Sequence, residues 1–286
     1  MSDFIVTLLF FASMEVVSKP LLDSIDPLTL TFWRFAAGAL VLFIILLRRR
    51  GFTSLGALRS GTVVPLFLMG VVNIALAMSL LQTAVKLTSA AKAATVFCAN
   101  PVLVFVISAV SGTEKANALK VLGLLAGLAG LVIVSGLHTL TVDTGTVFAL
   151  LAAAAFALYT VLGKKVSGKT DPVTINVVSF AAGLIVLFAF LVAMGRPLSP
   201  APLVASPGAA AAALYLTLGV SGIAYLTFVR AIRRMGAVAA SMVFMLKPAV
   251  ASLLAMVFLG EVLTQSFWVG LTLTSLGSYL VMRGGK

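Results

Sequence analysis

The chain has 286 residues, of which 61% are hydrophobic and only 10% are charged, and its formal net charge is +12. Eight acidic and twenty basic side chains cannot cover the surface of a soluble protein of this size, so the composition excludes an ordinary globular domain. It predicts instead a polytopic membrane protein whose helices face lipid.

Apolar runs of roughly 20 residues, the length that a bilayer-spanning helix needs, recur along the chain between Pro, Gly and charged residues. They predict an all-α integral membrane fold with ten transmembrane helices. The predicted helices cover residues 3–19, 27–47, 60–83, 88–111, 118–137, 145–164, 172–194, 207–229, 236–259 and 265–283. The first run meets no small-residue cleavage site before Lys19-Pro20, so we expect a retained helix and not a signal peptide.

The chain is a tandem duplication. Residues 11–43 align with residues 156–188 without a gap, and 14 of these 33 positions are identical. The second part of each copy aligns at an offset of 147, which implies a small insertion near the third and eighth helices. Here the matched pairs are Phe97/Phe244, Pro101/Pro248, Glu114/Glu261, Gly123/Gly270 and Gly130/Gly277. The sequence therefore predicts two structural repeats, at residues 1–140 and 141–286.

Five helices in each repeat would make the second copy enter the membrane from the opposite side. The loops on the side of the N-terminus carry fourteen Lys and Arg residues, whereas the opposite side carries only Lys19, Lys86, Lys92 and Arg196. Because positive loops stay in the cytoplasm, we expect two inverted repeats with both termini cytoplasmic. The same distribution argues against nucleic acid as the partner of the positive charge.

Several classes of chemistry lack their motifs. His138 is the only histidine, so metal sites built on paired histidines are absent, and Cys98 is the only cysteine. The chain contains no Walker A motif, Rossmann fingerprint or nucleophile elbow. We therefore expect neither an enzyme nor an ATP-driven pump, and no cofactor or metal.

The duplicated motifs resemble the drug/metabolite transporter superfamily, in particular its EamA type, over essentially the whole chain. Its marks are Asp26-Pro27 and Arg34 in the second helix, the segment 84–91 before the fourth helix, and then Pro101 and Glu114. The second repeat keeps Pro248 and Glu261 but has Ser179 in place of Arg34. The resemblance implies a bundle in which helices 1, 3, 4, 6, 8 and 9 line a central cavity. Within that superfamily, the chain is most similar to bacterial exporters of aromatic amino acids.

Two charged residues lie deep in apolar runs, Glu15 in the first helix and Lys247 in the ninth. Their counterparts in the other repeat are Thr160 and Asn100, so the charges are not a shared packing feature. Intramembrane charges usually mark substrate or ion pathways. Glu15 would attract the ammonium of a zwitterion or carry a coupling proton, and Lys247 would hold a carboxylate. The alternative is that each side chain snorkels to an interface or pairs with the other.

Polar and aromatic side chains complete the predicted cavity. Asn100 precedes Pro101, as Lys247 precedes Pro248, and a proline within a helix frees a backbone carbonyl and permits a bend. Both prolines are therefore candidate hinges. The other cavity candidates are Asn73, Phe97, Tyr159, Tyr225 and Phe244. Interhelical hydrogen bonding is the alternative for the two asparagines, and packing for the aromatic residues.

Three residues are assigned structural roles. We interpret Arg34 as snorkelling or pairing with Asp26, and Glu114 and Glu261 as helix-end residues. The glycines from Gly123 to Gly130 form one face of the fifth helix, which we expect to pack against the tenth helix within a monomer.

These features predict an inner-membrane transporter that exports amino acids, aromatic or other large neutral ones, by alternating access. Nucleosides, lipid-linked sugars and cationic drugs are alternative substrates that suit the same fold. A membrane scaffold that transports nothing is a third hypothesis, which the buried charges disfavour.

Overall fold

The computed structural model describes residues 1–50, 60–135, 142–259 and 265–285, and these ranges are helical apart from the turns and loops that connect the helices, the longest of which in these ranges covers residues 194–206. Along the chain the helices are α1 (Ser2–Ser18), α2 (Pro27–Arg50), α3 (Gly61–Leu87), α4 (Ala90–Val110), α5 (Ala118–Ser135), α6 (Thr144–Ser167), α7 (Pro172–Ala193), α8 (Pro207–Met235), α9 (Ala237–Ser241 and Val243–Leu259) and α10 (Gln265–Gly284). A 3₁₀ turn, Lys19–Asp23, extends α1. Glu261, His138 and the predicted boundary between the repeats at residue 140 lie outside the described residues.

Within the described residues, seven helices are long and apolar enough to cross a membrane: α1 to α4 and α6 to α8. The apolar parts of α5 and α9 are shorter, and α10 packs along α5 for most of its length. The all-helical membrane fold is thus confirmed, while the number of spans remains a prediction.

Local sequence explains where several helices begin. Asp171 accepts a hydrogen bond from the backbone N–H of Val173, and Pro172 occupies the first turn of α7, where its missing N–H costs nothing. Asp143 caps α6 in the same way by accepting from the N–H of Thr146, whose hydroxyl completes a capping box. These caps determine where α6 and α7, the first two helices of the second repeat, begin.

The two halves make equivalent contacts. Helix α1 packs against α8 and α9, and the matching helix α6 packs against α3 and α4. In the same way α2 packs against α8, whereas its counterpart α7 packs against α3. Sequence copies therefore exchange places across an approximate twofold axis, as a duplicated unit requires.

The close pairing of α5 and α10 depends on matched glycines. A Cβ atom at Gly123 would lie 2.6 Å from the carbonyl oxygen of Gly277, and one at Gly130 would lie 2.6 Å from that of Gly270. Because Gly123 matches Gly270 and Gly130 matches Gly277, these two contacts are copies of each other. The glycine face of α5 thus contacts α10, as the sequence predicted.

Helices α3 and α8 share a further irregularity. Each contains a π-helical stretch at the same place, Val71–Met78 in α3 and Tyr215–Ala224 in α8. Wide π turns are often found at functional sites because they displace side chains from the regular helical register. Asn73 lies within the first stretch, and Tyr225 follows the second directly.

Candidate substrate site

A cavity of about 260 Å³ lies between α1, α4 and α9. Its position is nearer the end of the bundle opposite the two chain termini, here called the far end, where Lys92 and Asp143 meet. The end that holds both termini, with Asp3 paired to Arg234, is called the terminal end. Small side chains line most of the cavity, and its polar wall is formed by Glu15, Thr95, Lys247 and Ser252.

Glu15 and Lys247 form an ion pair in the wall of this cavity. The Lys247 Nζ atom donates to Glu15 Oε1 at 2.5 Å, and both side chains are almost fully buried. Lys247 also lies 5.7 Å and 5.9 Å from the ring centroids of Phe97 and Phe244, within cation–π range. The two charges therefore pair with each other, an alternative that the sequence had left open, and neither snorkels to an interface.

An aromatic cluster closes the bundle next to the ion pair. Phe11 stacks on Phe244 with a centroid distance of 5.6 Å, and Phe156 lies edge-on to Phe97 at 5.5 Å. These contacts are again copies, because Phe11 matches Phe156 and Phe97 matches Phe244. Tyr225 packs on the same cluster, and the gap left at its centre is only about 10 Å³. The cluster therefore lies on the approximate twofold axis and blocks passage beyond the cavity.

Two further candidates lie beside the aromatic cluster. The Tyr225 hydroxyl donates to Asn73 Oδ1 at 3.0 Å, which joins the two π-helical regions. Tyr159 is fully buried against Phe156, and its hydroxyl has no hydrogen-bond partner among the described residues. Neither Asn73 nor Tyr159 lines the large cavity.

Asn100 does not reach the cavity. Its Nδ2 atom donates to the carbonyl oxygen of Ala153 at 2.8 Å, so it forms the interhelical bond between α4 and α6 that was the alternative interpretation. The two prolines also differ. Helix α4 is interrupted at Cys98 and Ala99, two residues before Pro101. Helix α9 is interrupted earlier, at Met242, so Pro248 lies inside the helical segment Val243–Leu259, where it lines the cavity.

The interpretation of Arg34 was wrong. Its side chain is only 1% exposed, so it does not snorkel, and Asp26 instead pairs with Arg196 at 3.2 Å. The Arg34 guanidinium lies 4.6 Å from the ring centroid of Phe35 and contacts the Met14 sulfur at 3.4 Å. Arg34 therefore lies in the buried middle of the bundle, close enough to Glu15 for the two charges to attract each other.

Sequence reasoning missed two features of the site. Met14 and Met78 line the small gap within the aromatic cluster, yet an apolar residue in an apolar helix carries no signal of such a role. Lys92 forms an ion pair with Asp143 at 2.7 Å, and this bond lowers the pKa of the Asp143 carboxyl well below its ordinary value. The pair ties the start of α4 to the start of α6.

The two ends of the bundle are packed differently. Residues Ala237–Ser241, which begin α9, are all buried and pack against the second half of α4. Of the matching residues 90–94, which begin α4, Ala90, Ala91 and Ala94 line the cavity, and this segment makes little contact with α9. The bundle is therefore open toward the far end and closed toward the terminal end.

Fold and site together define a multi-pass membrane protein built from two structural repeats, with a polar cavity near the axis that relates them. The profile of the EamA-like transporter family matches residues 4–136 and 143–283, and the chain belongs to that family. It is therefore a membrane transporter, which agrees with the resemblance drawn from the sequence.

Relatives of known sequence carry the same general description. The chain is 29% identical to an uncharacterized transporter of Clostridium kluyveri, over 99% of this chain and 92% of the relative. It is 28% identical to an uncharacterized transporter of Archaeoglobus fulgidus, over 96% of this chain and 94% of the relative. A solved crystal structure shares the fold, with a TM-score of 0.75 at 20% identity over 97% of this chain and 94% of that one.

Proposed function

We propose that this transporter exports amino acids, aromatic or other large neutral ones, across the bacterial inner membrane. The observation that carries this proposal is the ion pair between Glu15 and Lys247 in the wall of a cavity of about 260 Å³. Cavities that hold drug-sized ligands begin at roughly 300 Å³, so this one suits a small metabolite.

A zwitterion matches the ion pair chemically. Buried charges are stable only while they are paired, so a ligand that separates Glu15 from Lys247 must supply a partner to each of them. The ammonium of an amino acid would pair with Glu15, and its carboxylate with Lys247. Phe97 and Phe244, which flank Lys247, would then contact a large apolar side chain.

The duplication supports a mechanism of alternating access. The first residues of α4 are open to the cavity, while the matching residues of α9 are packed shut. If the two copies exchanged these conformations, the cavity would close at the far end and open at the terminal end. Pro101 and Pro248 are the proposed hinges. The distribution of basic residues supports inverted repeats with cytoplasmic termini, and we propose that the protein acts as a monomer.

The test is counterflow of radiolabelled tryptophan into proteoliposomes loaded with unlabelled tryptophan. We expect exchange by the wild-type protein, and a loss of at least tenfold for Glu15→Gln and for Lys247→Ala, because each change leaves one buried charge unpaired. Arg196→Gln, which removes an exposed charge at the far end, is the matched control and is expected to exchange normally. A pH gradient that accelerates exchange would indicate proton coupling.

Three results would redirect the proposal. Exchange that survives both substitutions would show that the ion pair is structural. An absence of tryptophan exchange, with exchange of a nucleoside or a cationic drug, would keep the transport mechanism and change the substrate. An absence of exchange for every solute would favour a scaffold.

A further inference from the structure

The proposed pairing of the substrate ammonium with Glu15, and of its carboxylate with Lys247, gives no role to Arg34. Its guanidinium is fully buried in α2, and its Nε and NH2 groups have no hydrogen-bond partner among the described residues. Its remaining polar contact is with the Met14 sulfur, a weak acceptor. An unsatisfied buried guanidinium is costly, and such groups in native proteins call for a functional explanation.

The charges in the middle of the bundle do not balance. Among the described residues, the buried charged side chains there are Glu15, Arg34 and Lys247, which sum to +1. Lys120 is also buried, but it lies at the terminal end and pairs with Glu114 at 2.9 Å. The uncompensated charge is therefore a cation, and an anionic group that entered the core would neutralise it.

Arg34 contacts Met14 beside the aromatic cluster, and Lys247 connects that cluster to the substrate cavity because it lines both. The Met14 side chain lines the small gap within the aromatic cluster, and Lys247 and Tyr225 line the same gap. Methionine is unbranched and adapts to its surroundings, so its movement would expose the guanidinium to this gap. A carboxylate would displace the sulfur readily, because its hydrogen bonds to a guanidinium are charge-assisted and bidentate.

We propose that Arg34 and Lys247 together bind the carboxylate of the substrate while Lys247 stays paired with Glu15, so that a carboxylate is required for recognition and an ammonium is not. This inference rests on the proposed function, because it assumes that the cavity holds the transported molecule. It extends that proposal by naming the class: monocarboxylates with a large apolar group, of which amino acids are the members that also engage Glu15. A purely cationic amine with the same apolar group is excluded.

Three probes that share a phenyl ring test this class. The acid 3-phenylpropionate carries a carboxylate alone, L-phenylalanine carries both charges, and phenethylamine carries an ammonium alone. Binding to the purified full-length protein is followed by the ligand-induced rise in unfolding temperature, which does not depend on transport. We expect the acid and the amino acid to stabilise the wild-type protein, and the amine to have no effect.

Variants of Arg34 separate recognition from packing. We expect Arg34→Gln to bind both carboxylate probes roughly 10-fold to 100-fold more weakly, since a charge-assisted hydrogen bond is lost. Arg34→Lys keeps the positive charge, so it is expected to retain part of the preference for acids. Arg196→Gln removes an exposed arginine and is expected to leave the ranking of the probes unchanged. A purely structural arginine would alter the stability of the free protein without altering this ranking.

The outcomes distinguish this inference from the proposed function. Stabilisation by phenethylamine equal to that by the acid, or unchanged acid binding in Arg34→Gln and Arg34→Lys, would overturn the inference while tryptophan counterflow still stood. Stabilisation by the acids without tryptophan counterflow would support the inference and contradict amino-acid export. A protein that none of the three probes stabilises would overturn the inference, and counterflow would then decide the function separately.

Discussion

The first residues of α4 and of α9 are copies that have different conformations. Ala90, Ala91 and Ala94 line an open cavity, whereas the segment that matches residues 90–94, Ala237–Ser241, is buried completely. The aromatic cluster, in contrast, keeps the same contact in both copies, since Phe11 packs on Phe244 as Phe156 packs on Phe97, although the first pair is stacked and the second is edge-on. The duplication thus fixes the centre of the bundle, while the two ends are free to differ.

Local residues explain which end is open. At the far end Ser89 caps α4, and Lys92 is drawn toward α6 by its ion pair with Asp143. At the terminal end the matching residues are Gly236 and Ala239. Gly236 has a φ of +93°, and a Cβ atom there would lie 2.6 Å from the carboxylate of Glu114, which accepts a hydrogen bond from the N–H of Ala237. A carboxylate therefore fixes the first residues of each helix. Asp143 holds the start of α4 toward α6 and away from α9, whereas Glu114 holds the start of α9 in its packed position against α4.

The largest expected effect comes from substitutions that make the two repeats identical at the positions of the ion pair. Glu15→Thr and Lys247→Asn introduce the residues that the other repeat carries. Each single change should lower the free energy of unfolding by about 3–5 kcal/mol, because it leaves a buried charge unpaired. Glu15→Thr should cost more than Lys247→Asn, since it leaves Lys247 and Arg34 as two buried cations, whereas Lys247→Asn leaves Glu15 near Arg34.

Thermal unfolding in detergent measures these changes. The double variant removes both charges, so it should be destabilised by much less than the sum of the single variants. A double variant as unstable as that sum would mean that the two charges do not stabilise each other. Tryptophan exchange should be absent from the double variant even where it folds.

A second test compares one substitution at two equivalent positions. Ala90 and Ala237 are the same residue in matching places, half-buried beside the cavity and fully buried, respectively. Ala237→Leu should lower the free energy of unfolding by about 1–3 kcal/mol, because a packed interface has no room for the added atoms. Ala90→Leu should change it by less than about 0.5 kcal/mol, since its side chain extends into open space. Equal effects on unfolding would contradict the difference between the two ends.

The fold could be predicted from the sequence to a large extent, for a simple physical reason. Lipid forces each spanning segment to satisfy its own backbone hydrogen bonds, so apolar length and flanking breaks define helices. The duplication adds long-range information, because matched residues such as Phe97 and Phe244 must occupy matched places. The predicted ends of the third and eighth helices fell short, at residues 83 and 229, because charged residues were used as breaks, whereas the helices continue through Lys86 and Arg230 to Leu87 and Met235.

The site was predicted less well, because contacts between helices decide it. Glu15 and Lys247 were conspicuous as charges in apolar runs, yet only the packing of α1 on α9 brings them to 2.5 Å. The predicted pair of Arg34 with Asp26 was wrong, although the two residues are close in sequence. Arg34 lies further along α2 in the buried middle of the bundle, and Asp26 pairs with Arg196 instead. Asn100 matches Lys247 in sequence but faces α6, because an approximate twofold axis places equivalent residues on opposite sides.

The smallest expected effect concerns the ion pair that holds α4 open. Asp143→Asn removes the charge that binds Lys92, so the start of α4 should spend more time packed on α9 and the cavity should be less accessible. A cysteine at Ala91, in a chain that carries Cys98→Ala, reports this accessibility by its rate of labelling with a membrane-impermeant thiol reagent. We expect Asp143→Asn to slow labelling by about two- to fivefold, since exposed ion pairs contribute little. A cysteine at Val238, the matching buried position, is the control and should label slowly in both backgrounds.

The pH dependence sharpens this last prediction. The pKa of Asp143 is lowered by Lys92, so the carboxylate stays charged down to pH values below the ordinary Asp pKa near 3.9. A group with a lowered pKa in the folded state contributes its full effect above the ordinary pKa and loses it only as the pH falls through the folded value. Labelling at position 91, corrected for the ionisation of the thiol, should therefore be independent of Asp143 titration between pH 5 and pH 8. A transition in that range that disappears in Asp143→Asn would mean that the pKa of Asp143 is raised above its ordinary value, which contradicts the ion pair with Lys92.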